Sequence, residues 1–279
     1  MTDDRVTARS SATRGPEASS FLRRPLTARS VIASTLLGME PPRLPAQLLV
    51  RSGELFGISE GTTRVAISRM LAAGELEPED GSYRLAGHLL TRHSRQRQSR
   101  TAQQKTWNGA WVMAVVNAER RNAADRSNLR EAMRRLKLAE LREGVWLRPD
   151  NLDPDRSPPD TATLEAQCRC FRTEPIQDAS QLAGSLWDLT AWSKAAEELR
   201  AAMQQWLEPL ERGDTDALAP GFELSAAVLQ HMLADPLLPT ELLPADWPGV
   251  ELRTDYDRYD RAFKAAWRDW FRRQPLPGR

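Results

Sequence analysis

Gly57 to Leu85 reads GISEGTTRVAISRMLAAGELEPEDGSYRL, and its spacing decides what kind of domain the chain begins with. Ser59 stands where a hydroxyl can accept from the free N–H groups of a first helical turn. A helix starting there sets Thr63, Ala66, Ile67 and Met70 on one stripe, and Gly74 is placed to end it in the left-handed conformation. The opposite face then carries Thr62, Arg64, Val65, Ser68 and Arg69. These residue types suit a major groove: Arg pairs with guanine O6 and N7, hydroxyls reach phosphates, and Val touches a thymine methyl. Upstream, Pro45 to Phe56 reads as a helix packing Leu48, Leu49 and Leu55, so Phe56-Gly57 becomes the short link of a helix-turn-helix. Downstream, Leu76-Glu77 and Tyr83 to Leu85 read as strands joined by a tight turn at Asp80-Gly81, which supplies a wing.

Charge supports a nucleic-acid partner. Residues 1–149 hold 25 Lys and Arg against 15 Asp and Glu, whereas residues 150–279 hold 14 against 23. A basic first half is what a polyanion would select, and the near-neutral total conceals it. Gly81 to Thr106 carries five arginines, one lysine and two histidines without a carboxylate. A connector of this kind is either a solvated linker or a phosphate-contacting segment, with Arg84, Arg92 and Arg95 as the candidates. Ser59, Thr62, Arg64, Val65, Ser68 and Arg69 complete the expected DNA-binding set.

The remainder divides by pattern, giving an expected α+β chain. Residues 1–24 are Ser-, Thr- and Arg-rich without large apolar residues and read as a disordered leader. The winged helix-turn-helix is expected over 25–95, a ferredoxin-like domain over 96–178, and a helical domain over 179–279. In the middle, Trp111 to Val116 reads as a strand and Arg126 to Arg142 as a helix with Leu129, Met133, Leu136 and Leu141 on one face. Val145 to Leu147 reads as a second strand, Asp150 to Asp160 as a loop, and Thr163 to Phe171 as a third strand, an order that begins a ferredoxin-like unit. The last third reads as helices from Ser180, from Glu223 to Leu233 and from Asp255 to Arg272.

Several function classes find no support. No stretch approaches the roughly 20 apolar residues of a membrane helix, so a cytoplasmic protein without membrane contact is expected. Cys168 and Cys170 alone cannot complete a structural zinc site. A metal-dependent nuclease is a distant alternative for a ferredoxin-like domain, but the first strand ends in Asn117 and no compact carboxylate cluster follows. Neither a phosphate-binding loop nor a nucleophile elbow is present, so catalytic residues, metals and cofactors are not expected.

Three further runs carry a family likeness: LTARSVIASTLLG at 26–38, WNGAW at 107–111 with GVWLRP at 144–149, and LWDL at 186–189 followed by DPLLPTELLPADWPG at 235–249. Together with the helix-turn-helix they make the chain resemble the PaaX family of bacterial regulators from about residue 26 to 272. The resemblance implies a homodimer that binds operator DNA, represses catabolic genes and leaves DNA when an aryl- or other acyl-coenzyme A thioester binds. An effector-independent regulator or an activator is the alternative. All nine tryptophans lie at or beyond Trp107. Most are expected in the core, and Trp187 and His231 are the candidates for an effector pocket. Arg120, Arg121 and Arg134 are candidate phosphate partners for the effector, and a solvated helix face is their alternative reading.

Overall fold

The computed structural model describes residues 26–117, 122–176 and 178–274. The chain is α+β, with two small antiparallel sheets and ten helices among the described residues. The leader over 1–24 lies outside them.

The first unit starts with α1 (Ala28–Leu37), whose first turn is capped by the Thr27 hydroxyl accepting from the Ser30 N–H at 3.1 Å. After β1 (Arg43–Pro45) come α2 (Ala46–Glu54) and α3 (Glu60–Ala72), then the hairpin β2 (Leu76–Glu79) and β3 (Ser82–Leu85). The strands run antiparallel in the order β1-β3-β2. Asp80 and Gly81 turn the hairpin with φ of 45° and 75°, the paired positive values a two-residue turn requires. Ile32, Leu36, Leu49, Ile67, Met70 and Leu85 close its core.

The basic connector is not a linker. His88 to Thr101 forms helix α4, which leaves the hairpin through Gly87 at φ 54° and packs on a helix of the last third.

In the middle unit β4 (Trp111–Val116), α5 (Ala123–Arg135), β5 (Ala139–Arg142), β6 (Val145–Pro149), α6 (Pro158–Gln167) and β7 (Cys168–Thr173) follow one another. The sheet order is β5-β6-β4-β7, every pairing antiparallel. On one face α5 and α6 bury Leu129, Met133 and Leu164 against Ala114 and Trp146. On the other, Trp111 and Leu147 meet Leu182, Leu189 and Leu238 from the last third. Strand β6 is therefore buried along its whole length.

Two sequence expectations change here. The helix expected over 126–142 stops at Arg135. Lys137 takes the left-handed position at φ 65°, and Leu138 N–H reaches Met133 O at 2.9 Å while Lys137 N–H reaches Arg134 O at 3.1 Å. This is a Schellman closure without glycine. Leu141, expected on the apolar face, is an exposed strand residue. The strand expected over 163–171 is instead the end of α6 followed by β7. Pro158 and Pro159 occupy the first helical positions, where a missing N–H costs nothing.

In the last third α7 (Ala179–Leu186) packs on the sheet through Leu182, while α8 (Leu189–Glu211), α9 (Leu218–Ala234) and α10 (Gly249–Arg273) stack around Met203, Val228, Leu252, Tyr256 and Trp267. The proline-rich run between α9 and α10 tucks Leu238 and Leu242 under the sheet. Asp235 stands at its start and accepts from Arg253 at 2.7 Å; Arg253 also donates to the Ser99 carbonyl of α4 at 3.1 Å.

Candidate nucleic-acid interface

Helix α3 is held against α2 by an unusually close approach. A Cβ on Gly53 would stand 2.4 Å from the Thr63 hydroxyl oxygen, so only glycine fits there. Thr63 is fully buried and donates to the Ser59 carbonyl at 3.2 Å. The link Leu55 to Ser59 turns at Gly57, with φ 68°, and Ile58 N–H returns to Gly53 O at 3.0 Å. Ser59 caps α3 by accepting from Thr62 N–H at 3.3 Å, and the two hydroxyls lie 2.9 Å apart.

Thr63, Ile67 and Met70 are the buried stripe of α3. Ser59, Thr62, Arg64, Val65, Ser68 and Arg69 are all exposed, and Val65 keeps half its surface open to solvent. An apolar side chain so exposed between two arginines is suited to a partner with mixed edges, such as a groove floor with methyl groups. Arg64 donates to Glu60 at 2.7 Å, whereas Arg69 has no carboxylate partner among the described residues.

A shallow groove beside this face is lined by Thr62, Val65 and Arg69 of α3 and by Thr27 and Arg29 at the start of α1. Arg29 is the flanking cation that sequence reasoning missed. Its Nε donates to Glu75 Oε2 at 2.9 Å and its Nη2 to Oε1 at 2.5 Å. The Arg29 hydrogen bonds hold the Glu75 carboxyl below the usual carboxylate range, against the opposing effect of burial. The signal in the sequence was Glu75 itself: a carboxylate directly after a helix end and before a buried leucine must find a cation.

The other DNA candidates do not gather on this face. Arg84 is exposed on the hairpin strand β3 and is ion-paired with Glu77, its cross-strand neighbour. Arg92 lines an inner cavity between α1, α4, α9 and α10. Burial is the first cause lowering its pKa, followed by Arg29 and Arg95. By area Arg92 remains exposed. Arg95 faces the middle unit: after burial, its pKa responds to Arg135, Asp160 and Glu131.

The effector candidates are likewise dispersed. Arg120 and Arg121 lie outside the described residues. Arg134 is exposed and paired with Glu131 at 3.1 Å. Trp187 stacks on Trp111 with ring centroids 6.5 Å apart. His231 Nε2 lies 3.0 Å from the Trp192 carbonyl oxygen, its ring stacks on Trp192 at 4.4 Å, and burial pushes its pKa down. These are the contacts of a packed structural histidine. Among the described residues no three His, Cys, Asp or Glu side chains come together to hold a metal, and no helix is long and apolar enough to cross a membrane.

Three family models match the chain in order. Residues 27–89 match one described as PaaX-like protein, residues 104–183 the PaaX protein central Cas2-like domain, and residues 187–273 the PaaX-like protein C-terminal domain. Among solved structures, an uncharacterized protein, Rv0674 from Mycobacterium tuberculosis, is 38% identical with a TM-score of 0.68. The alignment covers 87% of this chain and 98% of that one. No curated protein matches.

Proposed function

Because the chain belongs to the PaaX-like family along all three of its parts, we propose that it is a DNA-binding transcriptional repressor whose operator is released by a small-molecule effector. The observation that carries this reading is the exposed face of α3. Thr62, Arg64, Val65, Ser68 and Arg69 stand on the second helix of a helix-turn-helix, with a β-hairpin beside it, inside the first matched segment. The unit is read as a winged helix. The β-α-β-β-α-β order and the strand order β5-β6-β4-β7 support the ferredoxin-like reading of the middle unit.

In this reading the protein works as a homodimer, one recognition helix per half-site of a pseudo-palindromic operator, in successive major grooves. The effector is an aryl- or other acyl-coenzyme A thioester, and it acts only by binding the DNA-free geometry more tightly than the DNA-bound one. The division into units at 25–95, 96–178 and 179–279 belongs to the same proposal. The test is a mobility shift with DNA from upstream of the protein's own gene, with and without a panel of acyl-coenzyme A thioesters. Specific binding that falls steeply with salt and is released by one thioester is expected. A folded protein that binds no specific site defeats the reading.

A further inference from the structure

Between the winged unit and the C-terminal helices lies a cavity of about 420 Å³, within the size range of small-ligand sites. Its C-terminal wall is aromatic. Phe222 stacks on Trp267 at 5.7 Å, and Phe263 lies 5.3 Å from Trp267, so a packed aromatic cluster forms the apolar lining on this side. The opposite wall is made by α1 and α4, the two helices that tie the recognition helix to the rest of the molecule.

Two polar atoms of the lining residues are left over, one from each wall. Thr35 and Trp267 are 2% and 1% exposed, and neither Thr35 Oγ1 nor Trp267 Nε1 has a hydrogen-bond partner among the described residues. A buried polar group left unmet is destabilising. The indole N–H can only donate, and the threonine hydroxyl can donate too, so each is suited to an acceptor oxygen. The charge of the lining points the same way: five Lys and Arg side chains against two carboxylates, Glu40 and Asp260. Arg97 is taken by Glu40, and Arg100 and Lys264 by Asp260. Arg92 has no such partner among the described residues.

We propose that this cavity binds a small acid with a flat apolar body and a carbonyl oxygen, either free or as its thioester. The body lies against Phe222, Phe263 and Trp267, the oxygen meets Thr35 and Trp267, and the acid's charge or the thioester's anionic tail leaves past Arg92. Resting on the regulator reading above, this makes the cavity the effector site. An occupant touches both walls and therefore biases how the winged unit sits on α9 and α10. None of Arg134, Trp187 and His231 lines it.

The experiment is calorimetric titration of the full chain, without DNA, using 2-naphthylacetate and its coenzyme A thioester. Saturable binding of one molecule per chain by one of the two is expected, and which of them binds identifies the form. Arg92→Gln should weaken it about tenfold, the scale of one charge-assisted hydrogen bond. Thr35→Val keeps the shape and removes the leftover hydroxyl, so it should weaken binding several-fold without lowering the melting temperature. Ala226→Phe, which fills the space from α9, should abolish binding in a folded protein. Absence of saturable binding by either form overturns the proposal, as does binding that Arg92→Gln and Thr35→Val leave unchanged. A chain that binds the probe but no DNA supports the site and defeats the regulator reading; operator binding without probe binding does the reverse.

Discussion

Arg64 and Arg69 share the exposed face of α3 but differ in what they must give up on meeting DNA. Arg64 is already paired with Glu60 at 2.7 Å, an exposed i,i+4 contact worth only about 0.3–0.5 kcal/mol, so the pair orients it more than it restrains it. Arg69 is uncommitted and beside the groove that continues to α1. Arg69→Ala should therefore weaken specific operator binding by about 1–3 kcal/mol while leaving the melting temperature in place. Unchanged operator affinity in the folded variant removes it from the reading set. Lys137 offers a second test at this scale. Its ammonium donates to the Leu233 carbonyl at 2.6 Å, and burial, partly opposed by Asp235 and reinforced by Arg156 and Arg253, lowers its pKa from 10.5 to about 8. Between those values the unfolded chain binds more protons than the folded one, so this lysine makes stability rise with pH. Compared with Lys137→Met, the wild type should gain stability from pH 7 to pH 10 in denaturant titrations. A pH-independent difference would mean that the ammonium is not enclosed.

At the scale of elements, the contact between α2 and α3 is the most exacting in the first unit. Gly53→Ala drives a methyl into the buried Thr63 hydroxyl, whose β-branched side chain has little rotamer freedom to yield. Overpacking of this kind costs about 1–3 kcal/mol. The melting temperature should drop, and Gly53→Ala combined with Thr63→Ala should recover part of it; a drop that the second change leaves untouched places the strain elsewhere. Helix α3 was legible because its cap, stripe and terminating glycine all agree. Other elements were hidden for identifiable reasons. The end of α5 had no glycine to announce it, since Lys137 takes the left-handed position. The start of α6 was masked by Pro158 and Pro159, which resemble a loop until one sees them as a first turn. Helix α4 was missed because its pattern is almost wholly polar: only Leu89 and Ser99 are buried, so it has no apolar stripe to count. For the same reason Arg92 and Arg95 read as surface cations, although Arg92 lines a cavity and Arg95 is half-buried.

For the whole molecule, α4 is one of the contacts that seat the first unit on the C-terminal helices. Arg100 near its end donates to Asp257 at 2.6 Å and to Asp260 at 2.9 Å on α10, and its guanidinium lies 5.0 Å from the Tyr256 ring centroid. Arg253 returns the connection from α10 to the Ser99 carbonyl. The seam is thus ionic and partly buried, and it closes over the cavity that Arg92, Phe263 and Trp267 line. Such a seam is strongly sensitive to loss of one partner, because the remaining buried carboxylate is left short of charge. Arg100→Ala leaves Asp260 with Lys264 alone, whereas Asp257→Asn removes only an exposed contact. Hydrogen exchange should separate the two variants. With Arg100→Ala, α4 and the facing turns of α10 should lose protection while α8 and the sheet β5-β6-β4-β7 keep theirs; Asp257→Asn should change little. Loss of protection spread evenly over the chain would show that the winged unit and the C-terminal helices open only together. That outcome would leave the seam no role in positioning the recognition helix.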